Sequence, residues 1–485
     1  MFNAKPNAGT RHAQSPSNPQ RKAGPPDQRF EPANTDRPQG SRLPSKPPET
    51  EREQKDLVNR IVQASHYRPE DRLADLSNLA CEIFRAPRAS ENVSRQLLMD
   101  VLHGTGKLAR EIRRSENEGE RSQRGLTPQL EALMPHLSVL NRTLQERIGE
   151  LDGRNVANAV WAIATIGLKD EKLVTALSRR AVEKAKYFSP RDVALSSWGF
   201  AALGFRDEAL FRAISRRAQV KMDHLSGRDI ANTAWAFATL GIKDDALFRA
   251  LSNRATQTRP DSLPRDVANT AWALSLNNAD LVPKVCSESD LQVECSQTEW
   301  LQMYHALLIA GAITPEHSQD RFGEINTRFR PSAANKFEKD VRNWLVNEVG
   351  VKEEEIKGQV VVKGIATDWV VERNGRKLVI ECDGDLWHRT SGPDGDVPFG
   401  RDNIQDKVFA ACGYRVMHIR DGDFYQAPRE ALRAQVEEAL APQFGSGVWG
   451  GAARAGWWVV ATAGKLVGRV AAAAFRMGRE QLNEG

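Results

Sequence analysis

The sequence predicts a multidomain chain of α and α/β units: a disordered N-terminus, then an α-solenoid of helical-hairpin repeats, then a small α/β domain. Three observations carry this. A 37-residue repeat marks the centre of the chain, with Trp161, Trp198, Trp235 and Trp272 at equivalent places. The first 50 residues hold ten prolines and almost no large apolar side chain. Beyond residue 332 the pattern turns to alternating strands and helices around an Asn374-Gly375 hairpin signal.

At 485 residues the chain is too long for one core. Its net charge of +5 gives only a weak preference for anionic partners. Cys81, Cys286, Cys295, Cys382 and Cys412 are odd in number and show no CxxC spacing, which argues against a disulfide framework or a zinc site.

Residues 1–54 are expected to be disordered, because they cannot bury enough surface to fold. The first 50 carry eight basic and four acidic residues. Such a segment is a tail or linker, or an unstructured export signal. The acids Asp27, Glu31, Asp36 and Glu49 dilute the character of an organelle transit peptide. The expected location is the cytoplasm of a bacterium, or a host cell into which the protein is secreted. Residues 55–150 read as helical, with degenerate repeats.

Residues 151–311 hold the clear repeats. "GRNVANAVWAIATIG", "PRDVALSSWGFAALG", "GRDIANTAWAFATLG" and "PRDVANTAWALSLNN" align, and the first three are followed by "DEKLVTALSRRA", "DEALFRAISRRA" and "DDALFRALSNRA". Val193, Ser197, Phe200 and Leu203 recur at helical spacing. Ser189 and Ser226 stand where N-caps belong, Pro190 fits a first helical position, and Gly204 and Gly241 close the helices. Two short helices per repeat bury their apolar faces only by stacking on neighbours, which gives a solenoid. Residues 298–311, "TEWLQMYHALLIAG", read as a worn final repeat or cap.

The tryptophans are expected in the core. Asn158, Leu195, Asn232 and Asn269 lie three residues before them, beside Ala159, Ser196, Thr233 and Thr270. These columns are either a polar ladder between repeats or a row that meets one base per repeat. Candidate nucleic-acid contacts are therefore Asn158, Ser196, Asn232, Thr233, Asn269 and Thr270. Arg180, Arg217 and Arg254 on the second helices read as a solvated face. The unit "RDxANTAWAFATLG" with its "D.ALF.AL…RA" partner resembles the octotricopeptide repeats of organellar RNA-binding proteins, related to those of the FAST kinase domain family. The resemblance implies an α-solenoid that binds single-stranded RNA.

Residues 332–430 begin with an amphipathic helix ending at Gly350, followed by the short strand "VVVKG". "TDWVVERNGRKLVIECDG" is a hairpin that pairs Glu372 with Lys377 and Val370 with Val379. Asp368 then falls opposite Glu381, with Asp383 on the same face. Like charges so close destabilise a sheet. Three acids there need a divalent cation, a basic partner or a held proton, or they are hydrogen-bonded structural residues. Mg2+, or Mn2+, is the expected ion. "RDNIQDKVFAACG" reads as a helix ended by Gly413, and "YRVMHI" as a strand.

These pieces, with "IECDG", His388 and "GYRV", resemble a RAP domain, whose fold is similar to the very-short-patch-repair and PD-(D/E)XK endonucleases. The resemblance implies Asp368, Glu381 and Asp383 as metal ligands and catalytic residues, His388 as an acid/base and Glu338 as an assisting helix residue. It also departs from the nuclease pattern. Asp383 stands where the motif has Lys, Gln405 where the last helix has Arg, and "RTSGPDGDVPFGR" lengthens the loop after His388.

In residues 446–485, Arg454, Lys465, Arg469, Arg476 and Arg479 share about 80° of a helical wheel. That basic amphipathic helix lies on a membrane surface, binds a partner or docks on the protein; its longest uncharged run, 455–464, is too short to span a bilayer. The leading expectation is RNA binding by the repeats with a RAP domain assisting. The alternatives are a metal-dependent nuclease and a secreted bacterial effector that binds host factors.

Overall fold

The computed structural model describes residues 50–64, 67–85, 94–327 except 117–133, and 334–441 except 384–388, 391–396, 399 and 427. Of the expected disordered tail, residues 1–54, those up to 49 lie outside these residues, as do the candidate His388 and the C-terminal amphipathic segment; residues 51–54 instead open the first helix, capped by Thr50. The chain divides into two units, 1–45 and 46–485, and every described residue belongs to the second. Among the described residues no helix is long and apolar enough to cross a membrane.

The described part is mostly helical. Four helices come first: α1 (Glu51–Gln63), α2 (Pro69–Arg85), α3 (Arg95–Glu116) and α4 (Met134–Glu146). The repeats follow as α5 (Gly153–Ile166) and α6 (Glu171–Lys184), α7 (Pro190–Ala202) and α8 (Glu208–Val220), α9 (Gly227–Thr239) and α10 (Asp245–Gln257), then α11 (Pro264–Asn277) and the short α12 (Val282–Val285). Next come α13 (Gln297–Ile309) and α14 (Gln319–Thr327). Local chemistry sets these bounds. Ser189 and Ser226 close capping boxes with Asp192 and Asp229, Pro190 begins its helix, and Gly204 and Gly241 take positive φ just past the ends.

The helices form two rows. In the first, α3, α5, α7, α9, α11 and α13 pack each on the next. Contact is close enough that a Cβ on Gly199 of α7 would lie 2.6 Å from Val160 Cγ1 of α5. In the second row, α4, α6, α8 and α10 pack in sequence. Its hydrogen bonds repeat with the chain. Asp170, Asp207 and Asp244 cap α6, α8 and α10, and each also accepts from the preceding helix: from Asn141 Nδ2 at 2.7 Å, Ser178 Oγ at 2.7 Å and Ser215 Oγ at 2.5 Å. Arg180, Arg217 and Arg254 are not a solvated face. Their Nε atoms donate to the carbonyls of Leu151, Phe188 and Leu225, which stand just before α5, α7 and α9.

The C-terminal part is α/β. Helix α15 (Lys336–Asn347) leads to β1 (Ile356–Gly358), the small hairpin β2 (Val361–Val362) and β3 (Ile365–Ala366), β4 (Trp369–Arg373) and β5 (Arg376–Asp383). After the pair β6 (Arg389–Thr390) and β7 (Val397–Pro398) come α16 (Gly400–Ala411), β8 (Arg415–Arg420), α17 (Asp421–Gln426) and α18 (Glu430–Leu440). The main sheet has the order β1-β4-β5-β8, with β5 and β8 parallel. Asn374 and Gly375 both take positive φ, as a two-residue hairpin turn requires, and Glu372 faces Lys377 while Val370 faces Val379. Alternate residues then divide the sheet. Leu378, Ile380, Met417 and Ile419 bury one face against Val341 and Trp344 of α15, Phe424 of α17 and Val436 of α18. Glu381, Asp383, His418 and Arg420 belong to the other face, where α16 packs.

Helix α16 also packs against α9, α11 and α13. Lys407 Nζ donates to the Ser275 and Leu276 carbonyls at 2.8 and 2.7 Å, at the end of α11. A lysine there complements the negative end of the helix dipole. A second tie joins His305 Nε2 of α13 to the Lys363 carbonyl in the β2–β3 turn, at 2.8 Å.

Candidate nucleic-acid interface

Counting from the N-cap of each first-row helix reveals three columns. The N-cap positions are Ser94, Asp152, Ser189, Ser226, Leu263 and Ser296. Two residues on stand Gln96, Arg154, Arg191, Arg228, Arg265 and Thr298. Six on stand Asp100, Asn158, Leu195, Asn232, Asn269 and Gln302. Nine on stand His103, Trp161, Trp198, Trp235, Trp272 and His305. Offsets of four and three residues place each helix's trio on one stripe.

Along the central helices the stripe grades from wet to dry. Arg154, Arg191 and Arg228 are exposed, and among the described residues they carry no ion pair or hydrogen bond. Arg265 is half-buried and lies 3.6 Å from Asp266. Asn158, Leu195, Asn232 and Asn269 are half-buried. The tryptophans are not all core, as expected from sequence: Trp161, Trp198 and Trp235 are half-buried, and Trp272 alone is buried. Trp161 packs against α3, with its ring 5.0 Å from that of His103.

Of the sequence candidates, Asn158, Asn232 and Asn269 fall on this stripe. Ser196, Thr233 and Thr270 do not. Their column is one residue further round and lies inside, at 0%, 0% and 2% exposure. Thr233 and Thr270 return their hydroxyls to the Asp229 and Asp266 carbonyls at 2.7 Å. Variation among Ala159, Ser196, Thr233 and Thr270 is therefore variation in packing between helices. The arginine column was not among the sequence candidates. Its signal was the same 37-residue period, joined to an electrostatic oddity: the first turn of a helix favours acids, and a cation there opposes the dipole.

The acidic face of the α/β unit is the second concentration of polar side chains. Asp368 precedes β4 and accepts Cys382 N–H at 2.7 Å. Glu381 has its Oε1 buried without a hydrogen bond, and burial, followed by the nearby Asp368, pushes its pKa up to about 9. His418 lies between Asp383 and Asp406, at 2.9 Å through Nδ1 and 3.0 Å through Nε2. Burial works against its charge, but the two carboxylate hydrogen bonds carry its pKa up to about 11, so the ring is an imidazolium. Glu338 closes the α15 capping box with Asn335, and burial and Asp368 raise its pKa.

Among the described residues, no three His, Cys, Asp or Glu side chains are grouped to hold a metal ion. Asp383 is engaged by His418, Glu338 by its cap and Asp368 by a backbone amide. The expected Mg2+ or Mn2+ ligands Asp368, Glu381 and Asp383 do not form such a group among the described residues. On this face His418 is a basic partner to Asp383 and Asp406, and Glu381 holds its proton. His418 and Asp406 carry no mark in the sequence, because α16 and the parallel crossover bring them to β5.

Residues 131–298, about a third of the chain, match the family model of RNA-editing substrate-binding complex 6 protein. The matched span includes α5 to α11 and all four arginines of the stripe. No curated protein matches the chain at significant similarity.

Proposed function

We propose that the protein binds single-stranded RNA along the stripe of α5, α7, α9 and α11, the repeats acting as an octotricopeptide-like α-solenoid with a RAP-like α/β unit docked at its C-terminal end. One observation carries this reading: an exposed guanidinium and a half-buried indole share one stripe on each of α5, α7 and α9, with an asparagine between them on α5 and α9. Guanidinium groups meet phosphates, and indole faces take stacked bases at about 1–3 kcal/mol each. First-turn arginines oppose the helix dipole, and an anionic ligand would offset that cost. The match to a family described as an RNA-editing substrate-binding component supports the same reading, and supports protein partners beside the RNA.

Fluorescence anisotropy of the full chain with labelled oligoribonucleotides tests it. Binding should weaken with salt, with a log–log slope of about −2 if three free arginines each neutralise a phosphate of a single strand. No binding at low salt, or equal binding of single-stranded DNA of the same sequence, defeats the proposal.

A further inference from the structure

We infer that the exposed ring of Tyr187, on the turn between α6 and α7, is a stacking platform for one unpaired base of the bound RNA, with Lys186, Arg154 and Arg191 placed to meet the phosphates around it. The inference rests on the RNA-binding reading and adds a contact that lies outside the helical stripe.

The turn holds that ring in a fixed place. A short 3-10 turn, Ala185–Tyr187, follows α6, and Ser189 caps α7. Between them Phe188 is fully buried. Its carbonyl accepts from Arg217 Nε at 2.6 Å, and its amide donates to the Ala185 carbonyl at 3.0 Å. Its ring is seated on the start of α5, where a Cβ on Gly153 would lie 3.0 Å from Phe188 Cδ1. The turn thus bridges the first turns of α5 and α7, which carry the unpaired Arg154 and Arg191. A platform anchored in advance loses little freedom when a ligand arrives.

With its neighbour anchored inside, the Tyr187 ring stays outside. It is 63% exposed, and among the described residues its hydroxyl makes no hydrogen bond. Lys186 Nζ lies over the ring, 4.9 Å from its centroid. Aromatic rings carry large apolar area that folding usually buries. A ring left mostly in water among cations suits a ligand with flat faces and negative charge, which unpaired RNA supplies.

The position is not part of the repeat. Two residues before the caps of α5, α7, α9 and α11 stand Glu150, Tyr187, His224 and Asp261, all exposed. Glu150 and Asp261 would repel a phosphate, and Glu150 is paired with Arg147 at 2.6 Å. The phenol ring therefore marks one place on this edge. Stacking uses the face that every base has, so the contact adds affinity without choosing a sequence.

The test measures fluorescence anisotropy of labelled oligouridylate with the full chain. Tyr187→Ala should lower affinity about 5- to 100-fold and leave the slope of log affinity against log salt unchanged. Tyr187→Trp, which keeps a flat face, should bind at least as tightly as wild type. Arg191→Ala should instead make the slope shallower by about 0.7. Photocrosslinking of 4-thiouridine-substituted RNA to the unaltered chain should mark Tyr187 by peptide mapping, a readout that needs no variant. Tyr187→Ala within twofold of wild type overturns the inference and leaves the ring to a protein partner. A slope that shifts in Tyr187→Ala as it does in Arg191→Ala also overturns it, since the residue would then act through the cations. In both cases RNA binding stands. Failure of the wild-type chain to bind the RNA overturns the reading beneath it.

Discussion

Glu381 and His418 show how a sheet face tolerates several acids. A carboxylate buried beside Asp368 stays neutral to about pH 9, and the imidazolium of His418 meets Asp383 and Asp406 together. Both groups have folded-state pKa values raised above their unfolded ones, so both bind more protons when folded. Stability from His418 is complete below about pH 6.5 and is lost as pH rises toward about 11. Glu381 acts in the same direction: above about pH 4.5 the unfolded chain ionises it while the folded chain does not, and stability falls until about pH 9. Glu381→Gln removes that second loss. Melting curves at pH 5, 7 and 9 should show the variant close to wild type at pH 5 and progressively above it at pH 9, with each kcal/mol worth about 2–4 °C. A difference that stays constant with pH would assign Glu381 another role. The strand acids were legible in the sequence, since a two-residue turn and the two-residue pleat period fix their face. His418 was not, because it stands 35 residues from Asp383 and reaches it only through a parallel pairing.

At the scale of elements, the repeat is held by two kinds of contact. The first-row helices touch almost backbone to backbone at Gly199, where an added methyl would press on Val160 Cγ1 at 2.6 Å and on its carbonyl group at 3.1 Å. Gly199→Ala is therefore expected to destabilise by about 1–3 kcal/mol despite alanine's better helix propensity, as overpacking does. Urea unfolding measures it, and a stabilised variant would show that the two helices can separate freely. The second row is tied by its capping aspartates. Asp207→Ala removes the α8 cap and strands the Ser178 hydroxyl, at a cost of about 1–2 kcal/mol. The 37-residue period, the caps and the closing glycines were all readable in the chain. The outer members of the row were harder. His103 precedes Trp161 by 58 residues and His305 follows Trp272 by 33, so a fixed period misses both. Only the helix start, set by Ser94 and Ser296, restores the alignment, because loops change length while helix geometry does not.

Across the whole described molecule, α16 is the element that joins the sheet to the helical rows. On consecutive residues Asp406 bonds His418 of β8 and Lys407 bonds the last carbonyls of α11. Burial, followed by the nearby Lys243, lowers the Lys407 pKa to about 8, so the ammonium is held against a cost and its two carbonyl bonds must repay it. His305 and the Lys363 carbonyl make a second, independent tie. No local pattern foretold this docking, since it depends on which helix end meets which strand face. Lys407→Ala removes both carbonyl bonds and leaves the second tie intact. Hydrogen bonds to charged groups contribute about 1.5–3 kcal/mol, less here by the desolvation cost. Amide hydrogen exchange should accordingly quicken in α16 and at the C-terminal turn of α11, and stay unchanged in α5 and α7, which do not border α16. RNA affinity should hold within about twofold, because the exposed arginines lie at the opposite ends of their helices. Faster exchange throughout the first row would instead mean that the α/β unit props up the whole stack, and that the stripe depends on it for its shape.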